Sequence, residues 1–480
     1  MTQTSDILIG KSSGKKKALF AFPRLGSSLV LGMEGFALFN LYFTGFGVSA
    51  LLVTLAQAIG YIVIGFGQFF MGWISDGKYT KWGRRKPYII AFAPLLGISY
   101  IFLFLPTLFL PNLTLSSPTE LSPDSQATLF IWFLIWDILF KISYSMTTVY
   151  QSWMAEQFSN PERPKVSQYQ NYFNWIGNGA MSLVSILVLT GYVNILFPPG
   201  GGTRNIYAPI PFLFLNFVLT FGIIAIVSFL LSGILMPTEP RFEIKTSLKE
   251  NLKIVLKNRN YLKVTLMIGI ASLGWSILVD ALLAYNQAVL FLPDISFYII
   301  AGVLLVGIFT FLFLWRKVLE KSGKKNALLN IFLFAAVFLP YTLLATINAT
   351  NEIIPRLLIG IIFVIIATGA LGGWYLFPYI IYADIAQDDE QKTGQLKAGI
   401  YTGFNSIILN LFQAFGVFVL GVAIEHLPTI ALINPNGLPQ AVPLGLILFG
   451  PISSIIILIS YYYTKRYVKL DFEWEKKQIE

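Results

Sequence analysis

The sequence predicts an all-α polytopic membrane protein with twelve transmembrane helices in two six-helix halves. Its 480 residues are 55% hydrophobic and only 12% charged, whereas soluble domains carry about 25% charged residues. Twelve apolar segments reach the roughly 20 residues that a helix needs to cross about 30 Å of hydrocarbon. They are residues 20–44, 49–75, 87–110, 127–154, 167–197, 209–236, 261–291, 295–317, 327–348, 354–383, 398–426 and 443–464, numbered helices 1 to 12 in that order.

The distribution of basic residues predicts that both termini are cytoplasmic. Lys and Arg cluster in the amino-terminal tail, in the loop after helix 2, in residues 237–263, in the loop after helix 8 and in the carboxyl-terminal tail. The opposite side carries only Arg204 and Arg356, and basic loops stay on the cytoplasmic side. The net charge of +10 is therefore explained by topology, and nucleic acid is not expected as a partner.

One long charged stretch divides the chain into its two halves. Leu248, Leu252, Val255 and Leu256 recur at helical spacing among lysines, which predicts an amphipathic helix on the cytoplasmic surface. It serves either as a tether, the commoner role, or as a specific lipid sensor. The predicted domains are an amino-terminal tail (1–18), a first bundle (19–236), this linker (237–260), a second bundle (261–464) and a carboxyl-terminal tail (465–480).

The residue inventory excludes several kinds of chemistry. The chain has no cysteine, which rules out a disulfide framework, a thiolate nucleophile and a cysteine metal site. His426 is the single histidine, so a histidine metal centre or a Ser-His-Asp triad is not expected. We therefore expect no metal, no cofactor and no enzyme active site. The polar, basic first 18 residues also lack the apolar core of a cleavable signal.

Weak internal repeats indicate that the halves are related. The basic run of residues 315–325 after helix 8 echoes the loop after helix 2. Residues 155–174 and 383–405 also match: each begins with Ala and an acid, continues through a charged loop and ends on Phe-Asn. Two related halves imply a cavity between them at mid-membrane and alternating access by rocking.

The loop between helices 2 and 3, residues 72–87, combines one carboxylate with five Lys or Arg side chains. Its glycines permit tight turns, and its cations hold it in the cytoplasm. It resembles the corresponding loop of the major facilitator superfamily, and its Arg-Arg-Lys-Pro-Tyr-Ile sequence is most similar to the branch of glycoside/pentoside/hexuronide:cation symporters and plant-type sucrose/proton symporters. The resemblance implies two pseudo-symmetric bundles and a loop that latches the inward and outward conformations. The gating residues that it implies are Gly72, Asp76, Gly83, Arg84, Arg85 and Lys86.

Two further segments carry the same resemblance. Residues 382–385 (Tyr-Ala-Asp-Ile) and 391–394 (Gln-Lys-Thr-Gly) resemble the helix 10–11 signature of the glycoside symporters, as does Glu162-Arg163 with its flanks after helix 4. The resemblance spans nearly the whole chain. It implies a cytoplasmic gate in the second half at Asp384 and Lys392.

Four charged residues lie well inside predicted helices, where each costs about 2.5–3.5 kcal/mol to insert. They are Glu34 in helix 1, Asp137 and Lys141 in helix 4, and Asp280 in helix 7. Asp137 and Lys141 are four residues apart, on one helix face where they can pair. Such a pair either neutralises itself so that helix 4 inserts, or takes part in proton coupling. The resemblance implies that helices 1, 4 and 7 line the central cavity, which makes all four residues candidates for proton coupling, and that plant-type sucrose transporters use a helix-4 Asp about one turn from Asp137 as their proton site. Asp280 can alternatively accept hydrogen bonds from sugar hydroxyls or bond to a neighbouring helix, and Glu34 lies beside Gly32 and Gly35, which also suit close helix packing.

Amide and aromatic side chains inside the helices suit a sugar. Amides donate and accept hydrogen bonds, which matches a hydroxyl-rich ligand, and an indole face packs against the C–H face of a sugar ring. The alternative for each residue is an interhelical hydrogen bond or core packing. The substrate-binding candidates are Asn171, Asn174, Trp175 and Asn178 in helix 5, Trp275 and Tyr285 in helix 7, Trp374 in helix 10 and Asn405 in helix 11.

One departure from the family pattern bears on the coupling ion. Sodium-coupled melibiose-type members carry two acidic residues one turn apart on helix 2, where this chain has Ile64 and Gln68. Thr148 stands at their acidic position on helix 4. A sodium site of that kind is not expected, so protons are favoured. Each 100 mV of membrane potential contributes about 2.3 kcal/mol per charge moved. The movement of one proton with each sugar can therefore drive accumulation of the sugar.

Three functions are compatible with these features. The first is a monomeric, proton-coupled transporter of a sugar or glycoside in the cell membrane, with a small-molecule substrate, the proton and the lipid bilayer as partners. The second is a lipid carrier of lysophospholipid type on the same fold, which needs a lateral opening and an apolar groove. The third is a membrane-embedded glycosyl-transfer enzyme, for which residues 237–263 form the only sufficiently long loop and lack a catalytic motif. The amides and buried charges favour the sugar.

Overall fold

The computed structural model describes residues 12–77, 79–159, 162–199, 201–238, 253, 256–347, 352–377, 381, 385, 388 and 398–470. Among these residues, twelve helices are long and apolar enough to cross a membrane. They are α1 (Gly14–Ala21, Pro23–Phe39 and Asn40–Phe46), α2 (Ala50–Gly77), α3 (Lys86–Phe104), α4 (Pro123–Tyr144 and Met146–Gln157), α5 (Arg163–Leu183, Val184–Leu189 and Thr190–Leu196), α6 (Phe212–Leu235), α7 (Arg259–Ala284 and Tyr285–Val289), α8 (Asp294–Ser322), α9 (Lys324–Phe338, Leu339–Leu343 and Leu344–Ile347), α10 (Ile353–Trp374), α11 (Ala398–His426) and α12 (Gly445–Tyr467). Each predicted span coincides with one of these helices, because only a helix satisfies its own backbone within a bilayer.

A β-hairpin between α11 and α12 is the one part of the described fold that departs from the all-α prediction. Strands β1 (Thr429–Ile433) and β2 (Pro439–Pro443) pair antiparallel. The turn between them places Gly437 at φ 76°, and Asn434 Oδ1 accepts hydrogen bonds from two backbone amides of the turn. We call the face of the molecule that carries this hairpin the hairpin side, and the opposite face, where α1 begins and α12 ends, the termini side.

Three helices contain π-helical segments near the hairpin side. They are Asn40–Phe46 in α1, Val184–Leu189 in α5 and Tyr285–Val289 in α7. Such segments are rare and often occur at functional sites. Arg204 secures the segment of α1, since its Nη1 donates to the carbonyl oxygen of Thr44 at 2.7 Å and to that of Gly45.

The two halves repeat one structural device on the termini side. Gly83 and Gly323 precede α3 and α9 with φ angles of 98° and 78°, a left-handed conformation that glycine adopts without strain. Lys86 then donates to the carbonyl oxygen of Met236 at 2.7 Å, just beyond α6. Lys325 donates to that of Val468 at 2.9 Å, just beyond α12. A lysine thus caps the last helix of each half, where the helix dipole favours a cation.

The halves meet along α2 with α11 and along α1 with α7. Small residues permit close approach of helices in a membrane. A methyl group on Gly421 would lie 1.8 Å from Thr54 Oγ1, and one on Gly65 would lie 3.1 Å from Asn410 Cβ. The seam therefore depends on glycines from both halves.

Candidate functional site

The four charged residues predicted inside helices converge on one buried cluster. Glu34, Asp137, Lys141 and Asp280 are each at most 1% exposed. They come from α1, α4 and α7, and the three carboxyls all lie close enough to Tyr61 of α2 to act on its hydroxyl electrostatically. The cluster thus spans the seam between the halves, where ionisable residues within a membrane usually serve function.

Lys141 pairs with a different carboxylate from the one predicted. Its Nζ lies 2.8 Å from Glu34 Oε2 and 4.7 Å from the centre of the Tyr61 ring. Neither carboxylate oxygen of Asp137 has a hydrogen-bond partner. The prediction that Asp137 and Lys141 pair along α4 is therefore wrong for this conformation, because side chains from α1 and α2 offer the ammonium group a competing position.

Asp137 packs directly against the backbone of α2. A methyl group at Gly60 would lie 1.8 Å from Asp137 Oδ2 and 3.4 Å from Lys141 Cε. Only glycine leaves room for the carboxyl at this point. Tyr42 of α1 is also nearby, but its hydroxyl donates to the carbonyl oxygen of Leu103 at 2.9 Å.

Asp280 is the contribution of the second half to the cluster, and its Oδ2 has no hydrogen-bond partner. Gln57 of α2 lies beside it. This amide is 1% exposed, yet neither of its polar atoms makes a hydrogen bond of good geometry. Sequence analysis missed Gln57, Gly60 and Tyr61; the available signal was their spacing of three and four residues, which places them on one face of α2.

The predicted amide face of α5 is largely accessible. Asn171 and Asn178 are exposed and Asn174 is half-buried, with its Oδ1 accepting a 2.7 Å hydrogen bond from Ser28 of α1. Trp175 on the same face is 59% exposed, and its ring centre lies 6.3 Å from that of Phe309 in α8. Exposed amides inside a span are costly against lipid, so this face of α5 is suited to contact with water or a polar ligand.

Three of the aromatic candidates lie inside the second half. Tyr285 is fully buried and its hydroxyl donates to the Thr342 carbonyl oxygen at 3.0 Å, which uses the polar group that a sugar would need. Trp374 is 5% exposed and packs 5.9 Å, centre to centre, from Trp275. The Tyr285 hydroxyl is therefore already engaged with backbone, whereas Trp374 lies against the ring of Trp275.

Two further candidates of the second half remain suited to a ligand. Trp275 keeps a buried Nε1 without a hydrogen-bond partner. Asn405 is 8% exposed on α11, beside Ser406, whose hydroxyl donates to Gln68 of α2. Gln68 stands where sodium-coupled melibiose-type members carry an acidic residue on helix 2. Here its side chain instead forms a hydrogen bond between the two halves.

A chain of amides closes the seam on the hairpin side. Asn40 Nδ2 of α1 donates to Gln287 Oε1 of α7 at 2.7 Å. Gln287 Nε2 donates in turn to the Thr190 carbonyl oxygen of α5 at 3.0 Å and to Asn194 Oδ1, and Asn194 donates to Asp294 of α8. Asn40 and Gln287 are at most 2% exposed. This network, which we call the amide latch, joins three π-helical regions across the seam and was not predicted.

Basic residues of the loop after α2 bind within the first half. Glu156 of α4 accepts a 2.6 Å hydrogen bond from Arg84 and a 2.9 Å hydrogen bond from Arg85. Arg85 also donates to Ser75 Oγ at 2.5 Å. All three ion-pair partners are at most 7% exposed, and Gly72 lies against Thr148 of α4. The buried pairs tie the loop to the end of α4, so any movement of α4 involves the loop.

The amino-terminal part of α1 is fastened to the segment before α5. Lys17 Nζ lies 2.8 Å from Glu162 Oε1, and Ser12 donates to both Glu162 oxygens. Burial tends to raise the pKa of Glu162, but the hydrogen bonds from Lys17 and Ser12 prevail and lower it to about 2. The carboxylate therefore stays ionised at every physiological pH, and its pairing would be lost only as the pH falls from its ordinary value of 4.5 towards 2.

Several predicted elements lie outside the described residues. They are the side chain of Asp76, the whole of Asp384 and Lys392, and most of the linker 237–260 with its predicted amphipathic helix. Among the described residues, no group of three or more His, Cys, Asp or Glu has the arrangement of a metal site.

In comparisons with known proteins, the sequence and the fold of this chain are similar to those of transporters. The profile of the family described as MFS/sugar transport protein matches residues 21–470. The isoprimeverose transporter of Lactiplantibacillus pentosus is 23% identical over 388 residues, which cover 79% of this chain and 73% of that relative. A solved D-xylose-proton symporter superposes with a TM-score of 0.60 at 14% identity, over 95% of this chain and 97% of that chain. The nucleoside transporter NupG superposes with a TM-score of 0.58 at 12% identity, over 94% of this chain and 99% of that chain. These two structural likenesses describe the fold.

Proposed function

The chain belongs to the MFS/sugar transport protein family, and from this premise we propose that it is a secondary active transporter coupled to protons. It moves a sugar or glycoside across the cell membrane by alternating access between the bundles 19–236 and 261–464, as a monomer. The name of the isoprimeverose transporter supports a sugar of glycoside type.

The observation that carries the proposal is the charge imbalance of the buried cluster. Three carboxyls share one ammonium group among residues that are at most 1% exposed. With every group ionised, the cluster would hold two net negative charges in a region of low dielectric constant, which is strongly unfavourable. Bound protons relieve that imbalance, so changes in the cluster's surroundings are coupled to proton uptake and release.

Asp137 is the proton site in this proposal. Its two oxygens have no hydrogen-bond partner, whereas Glu34 holds Lys141 at 2.8 Å. Protonation of Asp137 removes one buried charge and allows the cluster to be enclosed. Release of that proton to the opposite compartment frees the carboxylate to attract Lys141 and loosens the contact between α4 and α1.

Substrate binds where polar groups of both halves remain unused. Asp280 accepts hydrogen bonds from sugar hydroxyls, Gln57 both donates and accepts, and Trp275 Nε1 donates. Each of these side chains has a buried polar atom without a partner. A ligand that bridges Gln57 of the first half and Asp280 of the second half stabilises the closed arrangement more than the open one, which is what transport by alternating access requires.

We infer that the conformation described faces inward. The amide latch closes the hairpin side, which we assign to the outside, and the exposed amides of α5 line a cleft on the termini side, which we assign to the cytoplasm. Asn171 and Asn178 then meet the substrate on its way out. The paired Arg84, Arg85 and Glu156 act as the cytoplasmic gate of the first half, and Asp384 with Lys392 as its counterpart.

Replacing Gln287 by Leu is expected to open the hairpin side more often. The change leaves the amide of Asn40 and the carbonyl of Thr190 without their partner in the closed state, and one such buried group costs about 1–3 kcal/mol. Because the chain has no cysteine, a single Thr54→Cys reports on the seam facing Gly421. A membrane-impermeant maleimide added outside should label it about tenfold faster in the Gln287→Leu background.

The matched control for that measurement is Asn326→Leu, which removes an exposed amide from α9. Its labelling rate should equal that of the parent. Equal rates for Gln287→Leu and the parent would show that the amide latch does not hold the hairpin side closed.

Uptake into proteoliposomes tests the function as a whole. A labelled panel of mono- and disaccharides, including an α-xylosyl glucose, is offered with the pH and sodium gradients imposed separately. We expect accumulation of a glycoside under an inward proton gradient and none under a sodium gradient alone. Accumulation driven only by sodium would reject proton coupling, and transport of a lysophospholipid in place of every sugar would favour the lipid carrier.

A further inference from the structure

Two neighbouring residues of α2 contact the two charged residues of α4. Gly60 lies under the Asp137 carboxyl, where a methyl group would come within 1.8 Å of Oδ2. The Tyr61 ring centre lies 4.7 Å from Lys141 Nζ. Because Gly60 and Tyr61 are adjacent on one helix, a movement of α2 changes their contacts with the aspartate and the lysine together.

The expected pairing within α4 is absent because a better position is available to the lysine. Oppositely charged side chains four residues apart on a helix normally attract each other. Here Lys141 instead reaches Glu34 Oε2 at 2.8 Å with the Tyr61 ring beside it. A cation–π contact gains strength when the ammonium group is shielded from water, and Lys141 is 1% exposed.

The groups that surround the pair come from four other helices. Glu34 and Tyr42 lie on α1, Tyr61 on α2 and Asp280 on α7, and Tyr375, next to α10, acts on Tyr61. Tyr42 is engaged with a backbone carbonyl. Lys141 is the cation of the cluster, so its position decides which carboxylate is neutralised by pairing.

We propose that Gly60 and Tyr61 are positioning residues that hold Lys141 on Glu34 and keep Asp137 without a cationic partner, so that Asp137 is the group that takes the transported proton. This inference rests on the proposed proton coupling. Tyr61 supplies a ring that competes with Asp137 for the ammonium group. Gly60 supplies the space that keeps the carboxyl against α2.

The test compares the pH dependence of uptake in two Tyr61 variants. Tyr61→Leu removes the ring, and the ammonium group then moves toward Asp137, which binds a proton less readily. The pH of half-maximal uptake should fall by about one unit, the size expected from losing one desolvated cation–π contact. Tyr61→Phe keeps the ring and loses only the hydroxyl, so its midpoint should equal that of the parent.

Each outcome of this comparison supports or rejects the proposal. A midpoint that stays at the parent value in both Tyr61 variants, even with reduced maximal rates, assigns Tyr61 to packing alone and rejects the proposal. Equal shifts in Tyr61→Phe and Tyr61→Leu assign the effect to the hydroxyl and also reject it. A parent protein whose uptake is independent of pH rejects the proposed proton coupling itself, which is a separate result.

Gly60→Ala provides a second variant should Tyr61→Leu fail to fold. The added methyl displaces the Asp137 carboxyl from α2 and toward the lysine, so the midpoint should again shift to lower pH. Gly35→Ala on α1 is the matched control, because a methyl group there meets no atom within 4 Å. A Gly60→Ala midpoint equal to that of Gly35→Ala would count against the proposal.

Discussion

Asp137→Asn is expected to lose proton-driven accumulation of sugar and to retain sugar exchange. With one proton per sugar, each pH unit across the membrane contributes 1.36 kcal/mol and supports about tenfold accumulation. Asparagine has the shape of the protonated aspartate but releases no proton, so the variant should equilibrate labelled sugar without concentrating it. Accumulation and counterflow exchange in the same proteoliposomes separate the two activities.

Glu320→Gln is the matched control for this change. Glu320 forms an exposed pair with Arg316 on α8, so the same substitution of amide for carboxylate should leave accumulation at the parent level. If Asp137→Asn still concentrates sugar about tenfold per pH unit, Asp137 is a packing residue and the proton site lies elsewhere.

Lys141→Met is expected to be the most destabilising single change in the cluster. It removes the cation and leaves Glu34 unpaired beside two further carboxyls, and breaking one side of a buried ion pair costs about 3–5 kcal/mol. The loss should be larger at pH 8 than at pH 5, because a buried carboxyl without a cationic partner can lose its charge only by binding a proton. Unfolding of the purified protein in detergent at both pH values measures it.

The double variant Glu34→Gln, Lys141→Met provides the decisive comparison. Neutral partners of similar size often restore stability that a broken buried pair has lost, so the double variant should unfold close to the parent yet not accumulate sugar. Arg316→Met, which breaks an exposed pair worth about 0.3–0.5 kcal/mol, should change stability little. A double variant as unstable as Lys141→Met would show that the Glu34–Lys141 pair is not the source of the effect.

The positions of the membrane spans could be predicted from the sequence because the bilayer imposes length and hydropathy on each helix. The buried charges could be predicted for the same reason, since Glu34, Asp137, Lys141 and Asp280 interrupt apolar runs. The hairpin had a signal as well: Asn434-Pro435-Asn436-Gly437 between two short runs is typical of a β-turn. The long apolar helices on both sides of this short segment dominate the hydropathy pattern there.

Partner choice inside the bundle could not be predicted, because it depends on helix packing. Spacing along α4 favours Asp137 for Lys141, whereas packing presents Glu34 and Tyr61 to it. Tyr285 and Trp275 likewise look equivalent in sequence, but one hydroxyl is used by the Thr342 carbonyl and one indole N–H is unused. The amide latch joins residues about 247 positions apart, a distance over which one sequence carries no pattern.

The movement of protons with sugar is the measurement that tests the central claim most directly. In lightly buffered proteoliposomes with no imposed gradient, adding the transported sugar outside should raise the external pH in step with uptake. The account predicts this alkalinisation in the parent and in Glu320→Gln, and its absence in Asp137→Asn. Alkalinisation at the parent rate in Asp137→Asn, or sugar entry without any pH change in the parent, would contradict it.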